Sequence, residues 1–189
     1  MSPFRPDLVD VWIFRERTAP SSDAAGSAAA PASEAAGGAR PASPTEIEIL
    51  LMRRSPGRIL PGLWQCVSGS LEAGESVVAG ALRELSEETG FGPAEIIGFY
   101  DLDQVNQFHE PSVQAIVSAA VFAVRVGNLA EPILSHEHDA MEWATPDLAV
   151  PMAVWPAYRE SIRRIVENLL DPELAVWFGL TLNGERVLR

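Results

Sequence analysis

Lysine is missing from this chain. All 14 basic side chains among its 189 residues are arginines, so chemistry that needs a lysine amine is excluded, from Schiff bases and pyridoxal phosphate attachment to the Walker-A phosphate loop. Cysteine is nearly missing too. Cys66 stands alone, which rules out an internal disulfide and a thiolate zinc cluster. Histidine is limited to His109, His136 and His138. His136-Glu137-His138 has the residue types of metal ligands, but in a charged segment the two rings read first as a solvated pair. Positive charge is in deficit, 14 basic against 26 acidic side chains, which gives −12 at pH 7. A body this acidic repels a phosphate backbone, so a nucleic-acid duplex is not an expected partner. An anionic small molecule needs a divalent cation or a local arginine cluster as intermediary. No apolar run reaches the length of a membrane span, and the N-terminal one is too short and too charged for a signal peptide. The expectation is a soluble, cytoplasmic protein without a membrane partner, its oligomeric state open and a homodimer included.

What is present suits one domain with a sizeable core. Residues 8–16 read as a strand rich in β-branched and aromatic side chains. Residues 18–45 then turn to Ala, Pro, Ser and Gly, with no aromatic and no branched aliphatic side chain. They have nothing to bury, so they read as a disordered insertion. Strands are expected over 47–53, 63–70, 96–102 and 113–126, with a polar loop at 104–112 and a charged connection at 136–141. From Ser76 to Thr89, Val78, Ala81, Leu82 and Leu85 follow the spacing of one helical face; Ser76 is a candidate N-cap and Gly90 a C-terminal stop. A second amphipathic helix opens at Pro156 and ends at Asp171-Pro172, and Asn183-Gly184 signals a small hairpin in the tail. Strands and helices mix without regular alternation. That makes a mixed α/β sandwich.

On the first helix, at about 100° per residue, Glu84 and Glu88 lie roughly 40° apart and Glu87 about 60° from Glu84. Three carboxylates on one face repel one another unless something positive sits between them. One arginine, Arg83, does not balance three glutamates. A hard divalent cation does, and Mg²⁺ is the usual choice where carboxylates and phosphates share a ligand shell. Acidic runs are usually solvated helix faces, but the framing here is specific. Gly69, five residues, Glu75, seven residues, Arg83-Glu84-Leu85, one residue, Glu87-Glu88, one residue, Gly90-Phe91 resembles the Nudix box at every position. Chance would assemble its fixed letters on the order of once per million chains.

The resemblance implies an α/β/α sandwich with a mixed sheet, a Nudix hydrolase domain over 1–170 and a tail over 171–189. It implies cleavage of a phosphoanhydride bond with Mg²⁺, for which Mn²⁺ can substitute. Glu84, Glu87, Glu88 and the Gly69 carbonyl would be metal ligands, Arg83 would orient the carboxylates, and Glu75 would steady the loop–helix junction. The flanks add detail. Arg53-Arg54 and Leu63-Trp64-Gln65-Cys66-Val67-Ser68-Gly69-Ser70, with Glu137-His138 and Trp143 further on, are similar to the bacterial dihydroneopterin triphosphate diphosphatases, also described as dATP pyrophosphohydrolases. Carried over, Glu137 is a metal ligand or the general base, completing a catalytic set with Arg83, Glu87 and Glu88. Arg53, Trp64 and Ser68 would bind substrate. The expected reaction turns a nucleoside, deoxynucleoside or pterin triphosphate into a monophosphate and pyrophosphate. Two alternatives stand beside it: another nucleoside diphosphate derivative such as ADP-ribose or NADH, and a binding module without turnover. A third class is an interaction protein that docks through its acidic face and Ala/Pro insert.

Overall fold

The structure, a computed structural model, describes residues 5–18 and 45–187. Apart from its two end residues, the insertion expected over 18–45 lies outside the described residues. β1 (Leu8–Thr18) is the middle strand of a seven-stranded mixed sheet. β6 (Ala115–Val126) runs parallel along one side of it, and β5 (Ile96–Glu110) pairs antiparallel with β6 as the outer strand. Along the other side, β2 (Thr45–Arg54) pairs with the second half of β1, from Ile13↔Leu50 to Thr18↔Thr45. Beyond Ile13 the two strands part. The fork is filled by β3 (Trp64–Gln65) on β2 and β4 (Val67–Ser70) on β1, the chain crossing at Cys66. β7 (His138–Ala144) takes the remaining edge of β2.

Period-two alternation sends Val9, Val11 and Ile13 to one face of the sheet and Asp10, Trp12 and Phe14 to the other. On the first face α1 (Val77–Thr89) buries Ala81 and Leu85, with Phe91 beside them. On the second, α2 (Pro146–Met152), α3 (Pro156–Arg164) and a π turn at Ile165–Leu169 bury Ala149, Ile162 and Ile165. The result is the α/β/α sandwich with a mixed sheet that the sequence implies.

Several local expectations are corrected. The polar stretch 104–112 is not a loop. β5 runs through it to Glu110, and the chain reverses only at 111–114. A register shift between Asp101 and Val105, with Asp103 at φ 49, interrupts the alternation, and the hairpin carries residues 107–109 beyond the core as exposed side chains. Polar composition there reflects a solvated strand. The 136–141 connection is likewise part strand, because β7 is an edge and its Asp139 and Glu142 face solvent. Asp171-Pro172 ends the π turn and also starts another helix, α4 (Pro172–Phe178): the Asp171 carboxylate accepts from the Glu173 N–H at 2.8 Å, and Pro172 needs no donor in the first turn. Past α4 the Leu180 N–H donates to the Phe99 carbonyl at 2.8 Å, and a bridge between Leu180 and Arg186 spans the turn at Gly184. Among the described residues no helix is long and apolar enough to cross a membrane.

Candidate active site

The site is built on α1 and the fork it faces. The Ser76 Oγ accepts from the Ala79 N–H at 3.1 Å, and Gly90 takes the left-handed conformation (φ 72) while its N–H closes on the Ser86 carbonyl. Between these caps, burial of Ala81 and Leu85 against the sheet fixes the rotation of the helix and aims Glu84 and Glu88 at the fork. Arg83 is a hub. Its Nε and Nη2 grip both oxygens of Glu75 at 3.0 Å each, Nη2 also donates to the Ser70 carbonyl at 2.9 Å, and Nη1 reaches Glu84 at 2.8 Å and Glu87 at 3.2 Å. The two-pronged grip lowers the Glu75 carboxyl below its ordinary pKa and raises the guanidinium above its own. Glu75 in turn accepts from the Glu72 N–H at 3.0 Å, so one ion pair ties the entry loop, the helix and the end of β4 together.

Glycine at 69 follows from space. A Cβ there would fall 1.9 Å from the Glu84 carboxyl carbon, so the backbone of β4 and this carboxylate pack face to face. One turn on, Glu88 is buried, its side chain 5% exposed and its Oε2 without a hydrogen-bond partner. Burial first, then the charges of Glu84 and Glu137, push its pKa up to about 8, against an opposing pull from the Ser68 backbone and Arg54. Glu84 is raised as well, by desolvation ahead of the relief from Arg83. The charge of Glu137 acts on both Glu84 and Glu88, so the three carboxylates lie near one another. His138 Nδ1, also buried and unpartnered, lies 3.6 Å from Glu88 Oε2. Desolvation, then Arg54, lowers its pKa, so the ring is neutral at pH 7.

The structure thus brings Gly69, Arg83, Glu84, Glu88 and Glu137 together. Glu87 stands on the rim, its side chain 60% exposed, with Arg83 as its contact. Ser68 pairs with Asp10 across β4 and β1, on the sheet face opposite α1. There Asp10 is buried and its pKa raised, eased by Ser68 and by Asn106, whose amide donates to it at 2.9 Å. Arg53 and Trp64 also share that face. The guanidinium sits 5.8 Å from the indole centroid, and its Nε donates to Asp139 at 2.7 Å. Sequence reasoning missed three residues. His138, expected to be solvated, is buried because β7 pairs it opposite Arg54 and under α1. Arg54 reaches Gln65 at 3.4 Å. Arg58 holds Glu137 at 2.9 Å from the β2–β3 loop. The Arg53-Arg54 pair and the Glu137-His138 run carried a signal in the sequence; Arg58 carried none.

A divalent cation fits these residues. An uncompensated carboxylate buried beside two others is costly until positive charge joins it, and the orphaned Glu88 oxygen marks where that charge is wanted. Among the described residues no three His, Cys, Asp or Glu side chains form a ready-made cluster; Arg83 holds Glu84 and Glu87, and Arg58 holds Glu137.

Helix-borne carboxylates facing a strand glycine, with arginines around them, make a site suited to a polyphosphate held through a metal ion. The NUDIX domain model matches residues 38–165. The chain therefore belongs to the Nudix family, pyrophosphohydrolases that act on nucleoside diphosphate derivatives and generally use divalent metal cations. It is 39% identical over 121 residues to an octanoyltransferase of Myxococcus xanthus, a match covering 63% of this chain and 32% of that protein. The chain thus spans about a third of that relative. It is 29% identical over 110 residues to the CTP pyrophosphohydrolase of Escherichia coli, covering 58% of this chain and 76% of the relative. The E. coli dihydroneopterin triphosphate pyrophosphohydrolase superposes with a TM-score of 0.60 over 87% of this chain and 97% of its own, at 20% identity, a likeness of fold.

Proposed function

We propose that the protein hydrolyses a nucleoside, deoxynucleoside or pterin triphosphate between the α and β phosphates, with Mg²⁺ as its cation, releasing a monophosphate and pyrophosphate. The observation that carries this reading is the buried carboxylate of Glu88, pushed up to about 8 by burial and by Glu84 and Glu137, with Arg54 and Arg58 alongside. It asks for a divalent cation, and the guanidinia ask for phosphate oxygens. When bound, the cation neutralises phosphate charge and lowers the pKa of water. The chain's own residues do the rest. Glu84, Glu88 and the Gly69 carbonyl hold the cation from α1 and β4, Glu87 adds a carboxylate at the rim, and Arg83 fixes their directions. Glu137, one-third exposed, binds the cation or accepts the proton of the attacking water as the phosphoanhydride P–O bond breaks and pyrophosphate leaves. Arg53 and Trp64 present a cation and a flat ring on the face shared with Ser68, where a fused bicyclic base or pterin has something to stack on.

Product identification across a panel tests the proposal. Pterin and nucleoside triphosphates, ADP-ribose, dinucleoside polyphosphates and NADH should be compared by kcat/KM with Mg²⁺, with Mn²⁺ and with chelator. The expected result is release of pyrophosphate, highest kcat/KM on a triphosphate, and no turnover in chelator. ADP-ribose or NADH outpacing every triphosphate by about tenfold, roughly 1.4 kcal/mol in transition-state binding, would defeat the substrate class and leave the family intact.

A further inference from the structure

Arg58 is the one cation on the β2–β3 loop, and its place follows from how that loop is tied. The Ser55 N–H donates to the Glu137 carbonyl at 2.8 Å, the Gly62 N–H to the Arg54 carbonyl at 2.9 Å, and the Arg54 Nε to the Ile59 carbonyl at 2.6 Å. Between these ties Leu60 sits in the left-handed region at φ 56, and Ile59 and Leu60 point to solvent, 73% and 52% exposed. A loop that strains its backbone to expose two apolar side chains is not arranged for its own burial. It does deliver Arg58, whose Nη2 meets Glu137 Oε1 at 2.9 Å and His136 Nε2 at 2.6 Å. Among the described residues the Nε and Nη1 groups of this guanidinium have no partner, so each of its two oxygen-gripping edges, Nε with Nη2 and Nη1 with Nη2, keeps one free donor and opens fully once Nη2 is released. The side chain is one-third exposed.

We infer that Arg58 is a phosphate-binding residue that Glu137 holds in reserve. The inference rests on the triphosphate reading above and adds a residue to it. Glu137 has two suitors. In the structure it pairs with Arg58. A divalent cation held by Glu84 and Glu88 would be the stronger partner, because it would concentrate two charges beside the buried Glu88 carboxylate. Glu137 then turns to the cation, and Arg58, freed one contact away, meets the terminal phosphates that arrive with it. Its planar fork matches phosphate oxygens in a way an ammonium does not. The exchange keeps an acidic protein from presenting a bare guanidinium, yet has one ready when an anion comes.

The test uses the full chain, with Mn²⁺ and inorganic pyrophosphate as probes. Arg58→Ala should bind Mn²⁺ alone more tightly than wild type, by up to about fivefold, the scale of a partly exposed ion pair removed as competitor. With saturating Mn²⁺ its affinity for pyrophosphate should fall about tenfold or more, the scale of one charge-assisted hydrogen bond, and Arg58→Lys should recover part of that. Both are read by calorimetry, with melting curves to confirm folding. Weaker Mn²⁺ binding in Arg58→Ala would make Arg58 a prop for Glu137 and overturn the inference. Unchanged pyrophosphate affinity in that variant, while wild type binds pyrophosphate, overturns it too and leaves the triphosphate reading standing. Wild-type protein that cannot hold pyrophosphate at all removes both.

Discussion

Glu88 and Gly69 show how single residues at this site trade stability for function. The folded-state pKa of Glu88 is about 8, against an unfolded value near 4.5, so between those limits the folded metal-free protein holds the extra proton. Its stability must therefore fall as pH rises through that window, and the contribution present below pH 4.5 is gone above 8. Glu88→Gln removes this slope and puts a neutral amide beside the His138 ring. In chelator the variant is expected to melt higher than wild type at pH 8.5 and to converge with it near pH 5, while kcat with Mg²⁺ falls by at least about 100-fold. A variant less stable at pH 8.5, or one that keeps its turnover, contradicts the assignment. At Gly69 the backbone is not in the left-handed region, so only the nearby Glu84 carboxyl forbids a side chain. That carboxyl is the end of a flexible chain and can move aside. Gly69→Ala should then fold normally yet lose about 10- to 100-fold in Mn²⁺ affinity and kcat, as displaced supporting groups do; a large loss of melting temperature with normal metal binding would show the reverse.

At the scale of elements, α1 carries the site and its caps hold it in register. Losing the Ser76 Oγ bond to the Ala79 N–H should cost about 1 kcal/mol, a drop of about 2–4 °C in a domain of this size. Because Ser76 lies outside the carboxylate pocket, Ser76→Ala should keep its kcat. A thermal melt and a turnover assay on one preparation decide it, and loss of kcat at full folding would mean that the cap sets the aim of Glu84. α1 was legible in the sequence because all its signals are local: a cap, an apolar stripe, a glycine stop and the box residues on one helix. The partners of those residues were not. Arg54, Arg58 and His138 meet Glu88 and Glu137 only because β7 pairs with β2 across 84 to 95 positions of sequence and β3 and β4 divide between two strands, facts of tertiary pairing without a local mark. The β5–β6 hairpin hid for a different reason. It leaves the core, so polar side chains and apolar ones such as Val105, Phe108 and Ile116 alike stand exposed, and the shift after Asp101 breaks the period-two pattern. Asp171-Pro172 reads equally well as a stop and as a start, and the structure uses it as both.

Across the whole molecule, the site and the two residues that flank the Ala/Pro/Ser/Gly segment, Thr18 and Thr45, lie at opposite ends of the β1–β2 pair. Thr18 and Thr45 face each other in the ladder, while Arg53, Arg54 and the fork lie about nine residues further along β2, or about 30 Å at strand spacing. Residues 19–44 hold no aromatic and no branched aliphatic side chain, so they have little to offer the core. Paired ends are what a two-residue turn requires, and Asn-Gly has the backbone freedom to close one. Replacing residues 19–44 by Asn-Gly is therefore expected to leave kcat/KM unchanged. Stability should hold or rise, since the shorter connection reduces the entropy of closure by on the order of 2 kcal/mol at most. Melting curves and the triphosphate assay on both proteins check this. A fall of more than about 5 °C, roughly 2 kcal/mol at this size, would mean that the segment packs on the sandwich. A selective loss of kcat/KM with the melt intact would mean instead that it reaches the site from 30 Å away, about the span of a strand of nine residues, and contributes to substrate binding there.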